Sequence, residues 1–232
     1  MCGPAKGSGR FAQMEPAGSF DAVVLAGGRS SRLGFDKALL RINGEPLVQW
    51  LPSQLAGMFG SVAIVVDRPK RYDVTFPQLL DTWPDAGPLA GIAAGLQASA
   101  APALFVCGCD MPLLQPALLQ RLCSALEDYD LAIPERAGRL EPLCAVYAAS
   151  CLPVIQQLLR DRRLRANGVA EIVRTRTLTE MEWRDLDPEG DSFLSINAPS
   201  DLLRLQARAA TYGLTLERRV SGHSDIAGST SR

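Results

Sequence analysis

The sequence predicts one α/β domain built on a mainly parallel central sheet. Three short apolar runs, at residues 22–26, 61–66 and 103–108, are each followed by a loop and then by a stretch with helical periodicity. Strand, loop and helix repeated in this order are typical of parallel strands joined by helical crossovers. A chain of 232 residues, 47% of them apolar, is long enough for one sizeable core.

The remaining elements follow from the same patterns. The predicted helices and later strands are, in order, helices near 45–58, 88–99 and 115–127, strands at 131–134 and 142–148, a helix at 150–161, a less regular strand at 176–183 and a last helix at 199–210. In open parallel sheets, ligands bind beyond the carboxyl ends of the strands. The residues that directly follow the apolar runs are therefore the first candidates for a functional site.

Composition limits the class of protein and its partners. A net charge of −1 argues against a nucleic acid bound through bulk charge. The sequence contains no run of 18 apolar residues, so no membrane span is predicted. Six cysteines without a C-x-x-C pair, and His223 as the single histidine, argue against a zinc centre and favour reduced thiols in a cytoplasmic protein. Residues 1–18 and 211–232 are predicted to be flexible extensions of a single domain at 19–210.

The most informative segment is residues 22–37, where an apolar strand leads into glycines, arginines and a lysine. Gly27 and Gly28 allow the backbone to approach a ligand, and exposed amide groups in such a loop can bind phosphate. Arg32 and Lys37 add positive charge. The spacing fits neither a Walker loop nor a dinucleotide fingerprint. We interpret the segment as a triphosphate-binding loop, although a strand-to-helix turn with solvated basic residues has the same pattern.

Polar residues follow other predicted strands. Asp110 comes after the third apolar run and is a suitable Mg²⁺ ligand, because this ion is commonly held by one or two carboxylates together with substrate phosphates. In the loop after residue 80, Asp81 can accept hydrogen bonds from a nucleobase. Gly87 and Gly91 there allow a helix to approach a base or a phosphate. Asn197, before the last helix, is either a turn former or a polar ligand.

Five motifs occur in the order Leu25–Lys37, Gly87–Ile92, Cys109–Pro112, Glu141–Leu143 and Ile196–Leu202. Together they resemble the molybdenum cofactor guanylyltransferase family of MobA-like nucleotidyltransferases, over about residues 20–208. The resemblance implies a three-layer Rossmann-like nucleotidyltransferase fold. It also implies one reaction: GTP and molybdenum-bound molybdopterin give molybdopterin guanine dinucleotide and pyrophosphate, with Mg²⁺ as cofactor. Transient contacts with molybdopterin-delivering and molybdoenzyme-maturation proteins are expected.

The resemblance also implies roles for individual residues. The residues expected to act in catalysis are Lys37, Arg32 and Asp110, and those expected to hold Mg²⁺ are Asp110 and Asn197. The residues expected to bind the nucleotide are Leu25, Ala26, Gly27, Gly28, Lys37, Asp67, Asp81, Gly87 and Asp110. Two positions depart from the family pattern: Asp67 stands where some members have a nucleotide-contacting asparagine, and Ser195 where some have a second asparagine.

This chemistry needs no general base, because the attacking group is an anionic phosphate monoester. Catalysis then depends on positioning and charge neutralisation. Three other functions stay open. A cytidylyltransferase acting on the same pterin is expected to have Leu-Ala-Ala-Gly in the first loop, and a sugar-phosphate nucleotidyltransferase shares the fold. A non-enzymatic adaptor that delivers the cofactor is expected to lack Lys37 or Asp110.

Overall fold

The computed structural model of the protein describes residues 20–27 and 34–218. Its strands are β1 (Phe20–Leu25), β2 (Arg41–Ile42), β3 (Glu45–Pro46), β4 (Val62–Val66), β5 (Gln78–Leu80), β6 (Ala103–Gly108), β7 (Leu131–Arg136), β8 (Arg139–Leu140), β9 (Cys144–Ala148), β10 (Thr175–Leu178) and β11 (Leu216–Glu217). Its α-helices are α1 (Leu47–Leu55), α2 (Pro88–Ala98), α3 (Pro116–Leu126), α4 (Cys151–Arg160), α5 (Glu180–Trp183) and α6 (Pro199–Thr211). Short 3₁₀ helices occur at Lys37–Leu39, Ala166–Val169 and Asp191–Phe193.

The main sheet has the strand order β10-β7-β9-β6-β1-β4-β5, with β8 paired to β7. Strand β1 pairs in parallel with β4 and β6, and β4 with β5 and β7 with β10 are also parallel pairs. Strand β9 alone in this path runs antiparallel to its neighbours β6 and β7. The prediction of a mainly parallel sheet is therefore confirmed. The register aligns Leu25 with Val65 and Gly108, so neighbouring strands end at one edge.

Two apolar clusters cover the two faces of this sheet. Successive side chains of a strand point to opposite faces, and β1 accordingly contributes Ala22 and Val24 to one cluster and Val23 to the other. The first cluster includes residues of α1, α3 and α6, and the second includes residues of α2 and α4. The sheet therefore lies between two helical layers, which confirms the predicted three-layer architecture.

Helix α2 packs unusually close to the sheet. A Cβ at Gly95 would lie 2.8 Å from the Leu104 side chain and 2.9 Å from that of Val23, so a larger residue would force the helix away. At Gly91 a Cβ would lie 3.0 Å from the side chain of Leu25. Gly91 thus allows close contact between the helix and β1, and the expectation that it also lets the helix approach a base or phosphate stays a prediction.

The predicted and observed elements differ in several places. The strand expected at 176–183 is β10 followed by α5, because Glu182 accepts a hydrogen bond from the Thr179 backbone amide and starts a short helix. Helix α6 continues to Thr211, and β11 pairs with β2, which itself pairs with β3. Regular structure therefore continues past residue 210, where the flexible tail was expected to begin. Strand β5 at the sheet edge was missed, because three residues carry too little periodicity.

The cysteines of the described residues are free. Cys107, Cys109, Cys144 and Cys151 are buried, and Cys123 is partly buried. Burial raises the pKa of each of these thiols, which therefore pack as neutral groups, as the composition predicts. Within residues 20–27 and 34–218, no helix has the length and apolar character needed to cross a bilayer.

Candidate active site

A cavity of about 690 Å³ opens at the carboxyl edge of β5, β4, β1 and β6. After β1 the chain adds β4 and β5 on one side, and then crosses through α2 to place β6 on the other side of β1. Open α/β sheets bind ligands at such a change in strand order. The predicted nucleotide-binding residues that line the cavity are Leu25, Ala26, Gly27, Lys37, Asp67, Asp81, Gly87 and Asp110. Gly28 and Arg32 lie outside the described residues, so their roles stay predictions.

Lys37 is the meeting point of three distant segments. It begins the 3₁₀ helix Lys37–Leu39, which Asp36 caps by accepting a hydrogen bond from the Ala38 amide at 3.1 Å. The Lys37 Nζ donates to Asp110 Oδ2 and to Asn197 Oδ1, both at 3.0 Å. The Lys37 and Asp110 side chains are 18% and 17% exposed, so a ligand can still reach them. The structure thus brings together three residues that the sequence predicts separately.

The Asp110 carboxylate folds back over the end of β6. A Cβ at Gly108 would lie only 2.8 Å from Asp110 Oδ1, so this arrangement needs glycine at that position. The Cys109 amide donates to the Leu25 carbonyl oxygen at 3.0 Å, which fixes the turn to the end of β1. Sequence reasoning missed Gly108, although a glycine closing an apolar run directly before an acidic turn is a usable signal.

The oxygen donors at this point fit one type of metal site. Asp110 and Asn197 offer a carboxylate and an amide oxygen close to the same ammonium group. Among the residues described, no group of three or more His, Cys, Asp or Glu side chains is placed to hold a metal ion. The donor set therefore suits Mg²⁺ shared with substrate phosphates and does not suit a metal centre built from protein ligands alone.

The other side of the cavity is formed by the residues that follow β4 and β5 and by those that precede α2. Asp81 accepts a hydrogen bond from the Trp83 amide at 2.8 Å. Burial, with a further contribution from the charge of Asp67, raises the pKa of Asp81. Gly87 has φ +66° and ψ −154°, a conformation restricted to glycine, and it directly precedes α2 at the cavity. The amino end of α2 there favours negative charge.

Sequence reasoning missed the partners of Asp36. Arg71 Nη2 donates to Asp36 Oδ2 at 2.9 Å, and Arg71 Nη1 lies 2.7 Å from Asp67 Oδ1. The Tyr72 hydroxyl lies 2.9 Å from Asp36 Oδ2 and 3.1 Å from the Ala26 carbonyl oxygen. Burial, and then the charge of Asp36, raise the pKa of Tyr72, so the phenol keeps its proton. The i,i+4 spacing of Asp67 and Arg71 was the only sequence signal for this cluster.

Comparison with known proteins places this geometry in a family. Residues 22–174 match the sequence family described as the MobA-like NTP transferase domain. The chain belongs to the MobA-like NTP transferases. It is 34% identical over 191 residues to the probable molybdenum cofactor guanylyltransferase of Pelotomaculum thermopropionicum, covering 81% of this chain and 92% of the relative. It is 32% identical to the molybdenum cofactor guanylyltransferase of Desulfosudis oleivorans, covering 80% and 93%.

A solved structure of the same kind has a similar fold. The crystal structure of molybdopterin-guanine dinucleotide biosynthesis protein A from Archaeoglobus fulgidus superposes with a TM-score of 0.73 at 26% identity, covering 82% of this chain and 99% of that one. This MobA-like NTP transferase is thus an enzyme with the nucleotidyltransferase fold, and both predictions are confirmed. The adaptor alternative is set aside, because the family is enzymatic.

Proposed function

We propose that this protein transfers GMP from GTP to molybdenum-bound molybdopterin, giving molybdopterin guanine dinucleotide and pyrophosphate. The observation that carries the proposal is the convergence on Lys37 of Asp110, which lines the cavity with it, and of Asn197, which accepts a hydrogen bond from the same ammonium group. Relatives named as molybdenum cofactor guanylyltransferases, matching about four fifths of the chain, support the choice of substrates.

In the proposed reaction, the terminal phosphate oxygen of the pterin attacks the α-phosphorus of GTP. A new P–O bond forms as the bond to the β-phosphate breaks, and the electron pair leaves with pyrophosphate. Lys37 exchanges its contacts with Asp110 and Asn197 for phosphate oxygens and offsets the charge that develops there. Arg32 is proposed to act on the same phosphates. The attacking oxygen is already anionic, so no residue has to remove a proton.

Asp110 and Asn197 are proposed to hold Mg²⁺ together with the triphosphate. The bound ion supplies charge neutralisation at the phosphate oxygens. Asp81 is proposed to accept hydrogen bonds from the N–H groups of guanine, with the ribose and phosphates lying along Leu25, Ala26, Gly27 and Gly28. Asp67 and Gly87 are proposed to contact the nucleotide from the β4 and α2 sides.

The reaction is tested by product analysis. The protein is incubated with each nucleoside triphosphate, Mg²⁺ and molybdenum-loaded molybdopterin, and the product is identified by mass. We expect a guanine dinucleotide, with pyrophosphate released in equal amount. A cytosine dinucleotide, or a sugar nucleotide formed from a sugar phosphate, would instead assign one of the alternative activities.

The role of magnesium is tested with Asp110→Asn. An amide is a poorer ligand for a hard cation than a carboxylate, so turnover should fall about a hundredfold and recover in part at raised Mg²⁺ concentration. The matched control is Asp128→Asn at an exposed site before β7, which should turn over like the parent. Parental turnover of Asp110→Asn at ordinary Mg²⁺ would remove Asp110 from the metal site.

A further inference from the structure

We propose that Arg71 and Tyr72 act as positioning residues for Lys37. Together they hold the two ends of the segment that leads from β1 to the lysine, and we call this pair the Arg71–Tyr72 clamp. The inference rests on the proposed function, because it takes a nucleoside triphosphate as the ligand of Lys37.

Tyr72 connects the beginning and the end of that segment. Ala26 directly follows β1, and Asp36 directly precedes Lys37. The Tyr72 hydroxyl is within hydrogen-bond distance of both, at 3.1 Å from the Ala26 carbonyl and 2.9 Å from Asp36 Oδ2, and the residue is 8% exposed. A hydroxyl has one proton to donate, and both acceptors lie within its reach, so Tyr72 links the Ala26 end of the segment to the Asp36 end.

Arg71 holds the same carboxylate from another direction. Its side chain is 9% exposed, and it bridges Asp36 and Asp67 at 2.9 Å and 2.7 Å. The guanidinium carbon also lies 5.1 Å from the centre of the Tyr72 ring. Its buried Nε finds no hydrogen-bond partner among the residues the structure describes. Arg71 therefore ties Asp36 and Asp67, which both line the cavity, to each other through one guanidinium group.

The clamp also controls which groups compete for the Lys37 ammonium. The cavity is lined by several carboxylates, among them Asp36, Asp67 and Asp110, and such a surface repels a triphosphate unless the charges are offset. Arg71 offsets Asp36 and Asp67. Without Arg71, the Asp36 carboxylate has no arginine partner and becomes an alternative partner for the adjacent Lys37, in competition with the phosphates.

The test uses the full chain with Tyr72→Phe, Arg71→Met and Arg71→Lys. We measure kcat and KM for GTP, and the affinities for GTP and for GMP in Mg²⁺ by calorimetry. We expect turnover to fall about tenfold in Tyr72→Phe and about a hundredfold in Arg71→Met, the scale of a small displacement of a reacting group. Affinity should be lost for GTP and retained for GMP, which lacks the β- and γ-phosphates. Arg71→Lys should restore part of the activity, because it keeps the charge but not the two-pronged geometry.

Arg68→Met is the matched control, since Arg68 is exposed in the same loop. It should behave like the parent. The proposal would be overturned if the clamp variants kept the kcat and the GTP affinity of the parent. It would also be overturned if they lost GTP and GMP binding equally, because that result would mark a merely structural role. Failure of the proposed function shows in the parent itself, as absence of guanylyl transfer. The triphosphate-to-monophosphate comparison is then made with whichever nucleotide the parent uses.

Discussion

Two regions of the molecule contain dense groups of charged side chains and use them differently. At the carboxyl edge of β5, β4, β1 and β6, the charges of Lys37, Asp110 and Asp67 face an open cavity. Beside the 3₁₀ helix Asp191–Phe193, the carboxylates of Asp187 and Asp191 are buried inside the protein. Charge density alone therefore does not identify a site; what distinguishes the first region is the cavity that its groups share.

The second region shows how carboxylates are used for stability alone. Asp191 is 1% exposed and accepts hydrogen bonds from Arg208 Nε at 2.8 Å, from Arg208 Nη2 at 2.6 Å and from the Tyr212 hydroxyl at 2.6 Å. Asp187 accepts the backbone amides of Asp191 and Ser192, both at 2.8 Å. These acceptors are used inside the fold, so we expect substitutions here to change stability and leave turnover unchanged.

The largest expected effect is on turnover, in Lys37→Ala. Charge neutralisation at the phosphates carries much of the proposed rate enhancement, so turnover should fall at least about a hundredfold. The melting temperature without ligand should stay close to that of the parent, and most of its rise on adding GTP and Mg²⁺ should disappear. A paired pyrophosphate-release and thermal-shift assay measures both. Near-parental turnover, or an unfolded variant, would mean that this loop has been misinterpreted.

The opposite outcome is expected for Asp191→Ala in the second region. Removing the buried carboxylate leaves Arg208 without its main partner, which should lower the free energy of unfolding by about 3 kcal/mol. For a domain of this size the melting temperature should drop by roughly 6–12 °C. Well below that temperature, kcat and KM for GTP should remain parental. A large loss of turnover in a folded Asp191→Ala protein would break the distinction between the two regions.

A smaller effect is expected on nucleotide preference in Asp81→Ala. Loss of the acceptor should reduce the preference for GTP over ATP by about 1–3 kcal/mol. Because the pKa of Asp81 is raised, its ionised form in the parent should be lost at a higher pH than for an ordinary aspartate, so the preference should fade early on acidification. The ratio of kcat/KM for the two nucleotides, measured against pH, tests this. An unchanged ratio in the variant would make Asp81 purely structural.

The smallest effect concerns Glu182 on α5. Its hydrogen bond with Arg176, and then that with the Thr179 amide, lower its pKa to about 2. The stabilisation is therefore complete above the ordinary pKa of about 4.5 and is lost as the pH falls toward 2. Glu182→Gln should cost about 1 kcal/mol or less at neutral pH, since solvent screens the pair. Denaturant unfolding of parent and variant should give curves that converge in acid; a constant gap would exclude the ionic origin.

The sequence was most informative where apolar runs end in conspicuous residues. Strands β1, β4 and β6 could be predicted because each is a continuous apolar run followed by turn residues. The rule that parallel strands place their carboxyl ends together then predicted that Asp110 and Asp81 lie near the loop of Lys37. The structure places all three at one cavity.

Definite physical reasons explain why other features could not be predicted. A strand buried on both faces has no alternation, so the direction of β9 cannot be deduced from its apolar run. Apart from the i,i+4 spacing of Asp67 and Arg71, the basic stretch that contains Arg71 and Tyr72 has the sequence of a solvated loop. Their contacts with Asp36 and Ala26 depend on side-chain directions that no periodicity encodes.

The pairing of β11 with β2 has a consequence for biosynthesis. Beside this pair, the Thr215 amide donates to the Asn43 side chain across 172 residues of sequence. Closing so long a loop is slow and entropically costly, so these contacts should form late in folding. On the ribosome, β2 is synthesised well before β11, because the contact beside the pair spans 172 residues of sequence. A chain synthesised only as far as α6 therefore lacks the strand that flanks β2, close after Lys37 in sequence.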